Sequence, residues 1–110
     1  MIDKTLDKLV ESIQVKNALT DSEKKDVLSL LDELRNEVNL LSTTHQKEAE
    51  SIVTNADISM NHALDKDANL PLPDFTKLGP HGSLEQFEES HPKLLATIND
   101  FCTRLSSLGV

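Results

Sequence analysis

The sequence predicts an all-α protein: a helical hairpin or bundle with one long central helix, completed by self-association. Apolar residues recur at three- and four-residue steps along most of the chain, which is the spacing of one helix face. Only three glycines and four prolines are present, too little turn chemistry for an all-β fold. We expect the 110 residues to form a single domain, with helices at about 2–18, 21–64, 83–90 and 92–108 and a proline-containing loop at 65–82.

The first two helices are predicted from apolar stripes and from one clear start signal. Thr20 and Glu23 have the spacing of a capping box, which marks the start of the second helix, with Asp21 or Ser22 as the alternative cap. No glycine or proline follows until Pro71, so this helix is predicted to run for roughly 40 residues, about 60 Å. The alternative is a frayed or kinked second half, which contains the weaker helix formers Ser42-Thr43-Thr44 and Val53-Thr54-Asn55. The stripe of the first helix consists of Ile2, Leu6, Leu9, Val10, Ile13 and Val15.

The length of the second helix is the reason for predicting self-association. A stripe of about 60 Å extends beyond what the shorter helices can cover, so a second copy of the chain is expected to cover the rest. The result would be an intermolecular bundle or coiled coil, with a dimer favoured and a tetramer as the alternative. His45 continues the stripe and is either a polar residue that sets the register or a partly exposed histidine without a role. The predicted interface consists of Leu31, Leu34, Val38, Leu41, His45 and Ile52.

The C-terminal region contains two helix starts and one helix stop. Ser83 and Gln86 have capping-box spacing, and Pro92 is suited to the first position of a helix, with His91 or Ser90 as its cap. Gly109 follows the last apolar position and is suited to end the helix. The apolar stripe after Pro92 consists of Leu94, Leu95, Ile98, Phe101, Cys102, Leu105 and Leu108.

This region also resembles a known family. The run Phe87-Glu88-Glu89-Ser90-His91-Pro92, an amphipathic helix and a terminal Leu108-Gly109-Val110 resemble an uncharacterised family of small bacterial helical proteins. Members of that family share a Phe-Glu-x-Ser-His-Pro element and end in an aliphatic-Gly-aliphatic tail. The resemblance covers the last quarter of the chain closely and the first third loosely. It implies a bacterial origin but no mechanism, because the family has no established activity.

The composition excludes several classes of partner. The net charge of −8 would repel nucleic acid and anionic membranes. No apolar stretch of about 20 residues and no secretory signal is present, so a cytoplasmic protein is expected. Aromatic residues make up 3% of the chain, with no Trp or Tyr, so the core must be built from Leu, Ile and Val. Cys102 lies on an apolar stripe and is predicted to be a buried structural thiol.

One pair of residues has the spacing of a metal site. Glu88 and His91 form a Glu-x-x-His motif, as in di-iron carboxylate bundles. A symmetric dimer would bring two such motifs together, with Glu85 or Glu48 as further ligands. Because Pro92 follows immediately, a helix-capping role for His91 is the preferred interpretation.

Other candidate sites are assigned no function. Asp65, Asp67 and Asp74 lack the D-x-D-x-D-G pattern of a calcium loop and are predicted to be solvated. His62 and His81 have no partner at ligand spacing. We therefore predict no metal and no cofactor.

The sequence favours a protein that binds other proteins over an enzyme. It contains neither a nucleophile elbow nor a glycine-rich phosphate loop. The favoured function is a non-enzymatic, self-associating scaffold or adaptor that has a possible further protein partner. The alternative is a carboxylate–histidine metal-binding bundle formed across a dimer.

Overall fold

The chain folds as a bundle of α-helices with a longest dimension of 37 Å. The computed structural model describes residues 2–16, 18–65, 74–75, 77–78 and 82–108. The prediction of an all-α fold is confirmed for these ranges. The helices are α1 (Ile2–Val15), α2 (Asp21–Ser42), α3 (Gln46–Leu64) and α4 (Pro92–Ser107), and a short 3-10 helix, Leu84–Phe87, precedes α4.

Helices α2 and α3 form the centre of the bundle. Each of them packs against the other three α-helices, and α4 packs far more extensively on α2 than on α3. No contact joins α1 to α4 among the described residues, so these two helices flank α2 on opposite sides. Two surface grooves therefore border α2, one shared with α1 and the other shared with α4.

The single long helix predicted for the middle of the chain is wrong. Helix α2 ends at Ser42 and α3 begins at Gln46. The hydroxyls of Ser42, Thr43 and Thr44 each donate to the carbonyl oxygen three residues earlier, at 2.8, 2.8 and 3.4 Å. These bonds occupy carbonyls that a continuing helix would use. His45 then leaves the helical region, with φ −135° and ψ 66°, and α3 turns back along α2.

The start of α2 is the one that the sequence predicted. The Glu23 N–H donates to Thr20 Oγ1 at 3.1 Å, and the Thr20 N–H donates to Glu23 Oε1 at 2.9 Å. Both halves of the capping box are therefore present, and they satisfy two N–H groups that the first helical turn leaves without backbone partners.

The approach to α4 depends on a glycine and on a second side-chain cap. Gly82 has φ +114°, and a Cβ there would collide with the carboxamide of Gln86, so no other residue fits without strain. The Ser83 N–H donates to Gln86 Oε1 at 3.2 Å, while the Leu78 N–H donates to the Gly82 carbonyl at 2.9 Å. Pro92 occupies the first turn of α4, as predicted.

The helix predicted at 83–90 is shorter than expected: it is a 3-10 helix, Leu84–Phe87, followed by a turn.

Two other sequence predictions reach beyond the described residues. The loop predicted at 65–82 is described only at 65, 74–75, 77–78 and 82, so its overall conformation lies outside the described residues. The same holds for the helix stop predicted at Gly109.

Replacing Leu41 with Asp is expected to cost several kcal/mol of unfolding free energy, because it places a charge at a fully buried position. Leu40 offers a matched control one residue away, since its side chain is 58% exposed. Leu40→Asp should change stability by no more than about 0.5 kcal/mol. Urea denaturation followed by circular dichroism measures both, and equal losses would show that the buried face of α2 is misplaced.

Candidate functional site

The predicted interface residues lie mostly inside the chain's own core. Leu31, Leu34, Val38, Leu41 and Ile52 are each at most 2% exposed, because α3 folds back onto α2 and α1 and α4 cover its flanks. The sequence predicted an interface here because a single chain was expected to leave these residues exposed to solvent. The single chain instead covers them.

His45 and His91 meet around one phenylalanine. The His45 ring lies 4.9 Å from the Phe87 ring, and the His91 ring lies 6.1 Å from it on an edge-to-face contact of 90°. Phe87 itself is 2% exposed. Edge-to-face aromatic pairs add about 0.5–1.5 kcal/mol beyond burial, so Phe87 ties the starts of α3 and α4 together.

The two histidines have the same local structure. Each is the residue preceding its helix, with φ −135° and ψ 66° at His45 and φ −136° and ψ 63° at His91. Each Nδ1 also lies within hydrogen-bond distance of the hydroxyl of the preceding residue, at 2.8 Å from Thr44 and 3.0 Å from Ser90. Neither side chain caps its own helix. Both imidazoles therefore contact a neighbouring hydroxyl and Phe87 at the start of a helix.

The candidate metal ligands are not gathered into a site. Glu88 is exposed in the turn before α4, while His91 is half-buried against Phe87. Glu85 is exposed in the 3-10 helix, and Glu48 is half-buried in the first turn of α3. Among the described residues, no three His, Cys, Asp or Glu side chains are grouped so that they could hold a metal ion.

The remaining predicted sites fall partly outside the described residues. Asp67 and His81 lie outside them. Asp65 ends α3, where its N–H donates to the Asn61 carbonyl at 2.8 Å. Cys102 is half-buried, and burial raises the pKa of its thiol. The reactive thiolate is therefore disfavoured, although Cys102 is less buried than the sequence predicted.

Arg35 links α2 to α1 through two carboxylates one turn apart. Its Nη1 lies 3.0 Å from Asp3 Oδ1, and its Nη2 lies 2.7 Å from Asp7 Oδ1. The hydrogen bond that Arg35 donates to Asp7 is the main reason that the pKa of Arg35 is raised. Both carboxylates are more than 60% exposed, so each pair is worth at most about 1 kcal/mol. This cluster aligns helices rather than forming a site.

A groove lies on the side of α2 that faces α4. Two open depressions of about 450 and 300 Å³ share Asp100 and together follow the pair of helices. We call them the α2/α4 groove. Ser29 and Thr103 line the first depression, and Asn36 and Ala96 line the second. These four short side chains alternate with longer ones along the groove, among them Leu30, Glu33 and Lys93.

An ion pair at one end of this groove shows the relative direction of the two helices. Arg104 Nη2, near the end of α4, lies 3.5 Å from Asp26 Oδ2, near the start of α2. The helices are therefore antiparallel. Sequence reasoning missed the groove because its residues lie on the polar faces of two helices, and only their pairing in three dimensions brings these faces together.

Comparison with protein-family models, with curated proteins and with solved structures finds no match to this chain. The resemblance of its C-terminal region to an uncharacterised bacterial family therefore stays a prediction. Within the described ranges, none of the helices combines the length and the apolar character that crossing a bilayer requires.

Replacing Phe87 with Ala should cost about 3–5 kcal/mol of unfolding free energy, the usual range for a buried phenylalanine, and Phe87→Leu should cost less. Because both imidazoles face this ring, the ring-proton NMR signals of His45 and His91 should move together in the leucine variant. Movement of one set alone would contradict a shared contact.

Replacing Asp57 with Asn should stabilise the protein at pH 7. Burial raises the pKa of Asp57 above 3.8, against the smaller opposing effects of the Asn61 hydrogen bond and the Lys8 charge. The folded state therefore disfavours the charged carboxylate of Asp57 relative to its neutral form, and this cost is absent in the asparagine variant.

The advantage of the Asp57→Asn variant should shrink as the pH falls through the raised folded-state pKa, and it should vanish below 3.8, where Asp57 is protonated in both states. Melting temperatures of both proteins between about pH 7 and pH 3 measure this difference. A difference that is constant across the range would mean that the effect is not one of charge.

Proposed function

We propose that this chain is a non-enzymatic protein-interaction module, a small helical scaffold or adaptor. The observation that supports this best is the α2/α4 groove, an open surface that runs along two antiparallel helices. Both short and long polar side chains line it, and the apolar residues of α2 beneath it belong to a core that the chain covers by itself. A surface of this shape suits another protein segment better than a small molecule, which needs a deeper and more enclosed cavity.

The arrangement of reactive groups supports a non-enzymatic role. His45 and His91, the two histidines closest to a helix start, each contact a hydroxyl and Phe87. Cys102 is half-buried and its thiol pKa is raised. In the described part of the chain, no activated nucleophile is placed in a depression beside a general base, as covalent catalysis would require.

Self-association is part of the proposal, on a different basis from the one that the sequence offered. The apolar stripe of α2 is already buried, but Val15 and Leu40 are 71% and 58% exposed. These are the large apolar side chains that the described surface presents most openly. Single exposed apolar residues are common, so we expect any dimer to be weak, and the main role is binding a different protein.

Sizing chromatography with light scattering tests the proposal on two samples, the purified chain and a native extract of its source cell. Purified protein should have the 12.2 kDa mass of one chain at low concentration, and in the extract the chain should elute in a discrete larger complex. A purified mass that doubles over a hundredfold concentration range would establish self-association. A single-chain mass in both samples would overturn the proposed function.

A further inference from the structure

The α2/α4 groove has the length and the outline of a site for one further helix. It extends along α4 from Lys93 to Ser107, which is about 21 Å or four helical turns. Ser29, Ala96 and Thr103, which are among its lining residues, have short side chains. Short side chains between two antiparallel helices leave a channel into which the ridge of a third helix can pack.

The groove also has an apolar strip, which a docking helix needs. Leu30 is half-buried in the first depression, and the methyl group of Ala96 is exposed in the second. Leu40 lies one turn beyond Asn36 on the same side of α2 and is 58% exposed. Contact with these groups would give a partner helix a modest apolar anchor.

The charges along the groove do not balance. Asp26 is already paired with Arg104 at 3.5 Å. Glu33, Glu37 and Asp100 line the groove without an ion pair to any described residue, and Lys93 adds one positive charge among them. The groove is therefore left with an excess of unpaired carboxylates, which favours a cationic partner.

We propose that the α2/α4 groove binds a basic amphipathic helix of another protein, with small apolar residues against the strip and Lys or Arg side chains against Glu33, Glu37 and Asp100. This inference rests on the proposed function and names the class of partner. A second copy of the chain is a poor candidate, because α1, α2 and α3 each carry more acidic than basic residues. Helix α4 is itself one wall of the groove.

Two synthetic helical peptides, each about five helical turns long and with apolar residues at heptad spacing, test the proposal. One carries Ala and Leu on one face and Lys beside it, and in the other each Lys is replaced by Glu. The lysine peptide should shift the backbone amide NMR signals of Ser29, Asn36, Ala96 and Thr103 in the ¹⁵N-labelled chain. Its binding should weaken at high salt, because the contacts are exposed. The glutamate peptide should leave these signals unchanged.

A charge-matched pair of triple variants identifies the residues responsible. Glu33→Gln, Glu37→Gln and Asp100→Asn together should weaken binding of the lysine peptide about tenfold, as expected for three exposed charge contacts. The control removes the same number of charges at exposed positions elsewhere: Glu11→Gln, Glu85→Gln and Glu89→Gln. Circular dichroism checks that both variants fold, and the control should bind within about twofold of the original chain.

Three results would overturn the proposal: equal weakening by both triple variants, amide shifts that map to α1, or no shift at about 1 mM peptide. None of these bears on whether a larger complex forms in the source cell, so the groove assignment can fail while the proposed function stands. A single-chain mass in the extract would remove the function even if the peptide binds.

Discussion

The fold depends on one interruption of the backbone, the turn at residues 43–45. If α2 and α3 were continuous, the helix would be about 60 Å long, whereas the longest dimension of the molecule is 37 Å. The turn brings the apolar face of α3 onto that of α2, and α1 then packs against both. Three consecutive hydroxyl side chains stabilise this turn by occupying carbonyls at the end of α2. This turn allows α3 to bury its apolar face against α2 and α1.

The second constraint is the junction at Phe87, which places the last helix. His45 follows the turn that ends α2, and His91 precedes α4, yet both rings contact the same buried phenylalanine. The two helix starts therefore lie together at one end of the bundle. Helix α4 can run only away from this end, antiparallel to α2, as the contact between Asp26 and Arg104 shows. The geometry of the α2/α4 groove is a consequence of this junction.

Local signals in the sequence predicted the elements better than their arrangement. The capping box at Thr20 and Glu23, the cap at Ser83 and the first-turn position of Pro92 are all present, because each depends on residues within one helical turn. The long helix was wrong for a related reason. Ser42, Thr43 and Thr44 lower helix propensity only slightly, and what ends the helix is the free energy gained when α3 packs back on α2. This free energy comes from tertiary packing, which a local sequence pattern does not indicate.

The same distinction explains why the binding surface that we propose differs from the one that the sequence predicted. The sequence predicted that binding involves the most apolar residues, Leu34 and Val38 among them. The chain buries these residues in its own core, so they are not exposed to a partner. In the function that we propose, a partner protein is therefore recognised by the polar faces of the helices, through their charge and their shape. On α2, Glu33 and Glu37 are too far around the helix to join the core, and α4 contributes Asp100 to the same side. An acidic chain that has used its apolar surface internally is best suited to select partners by positive charge.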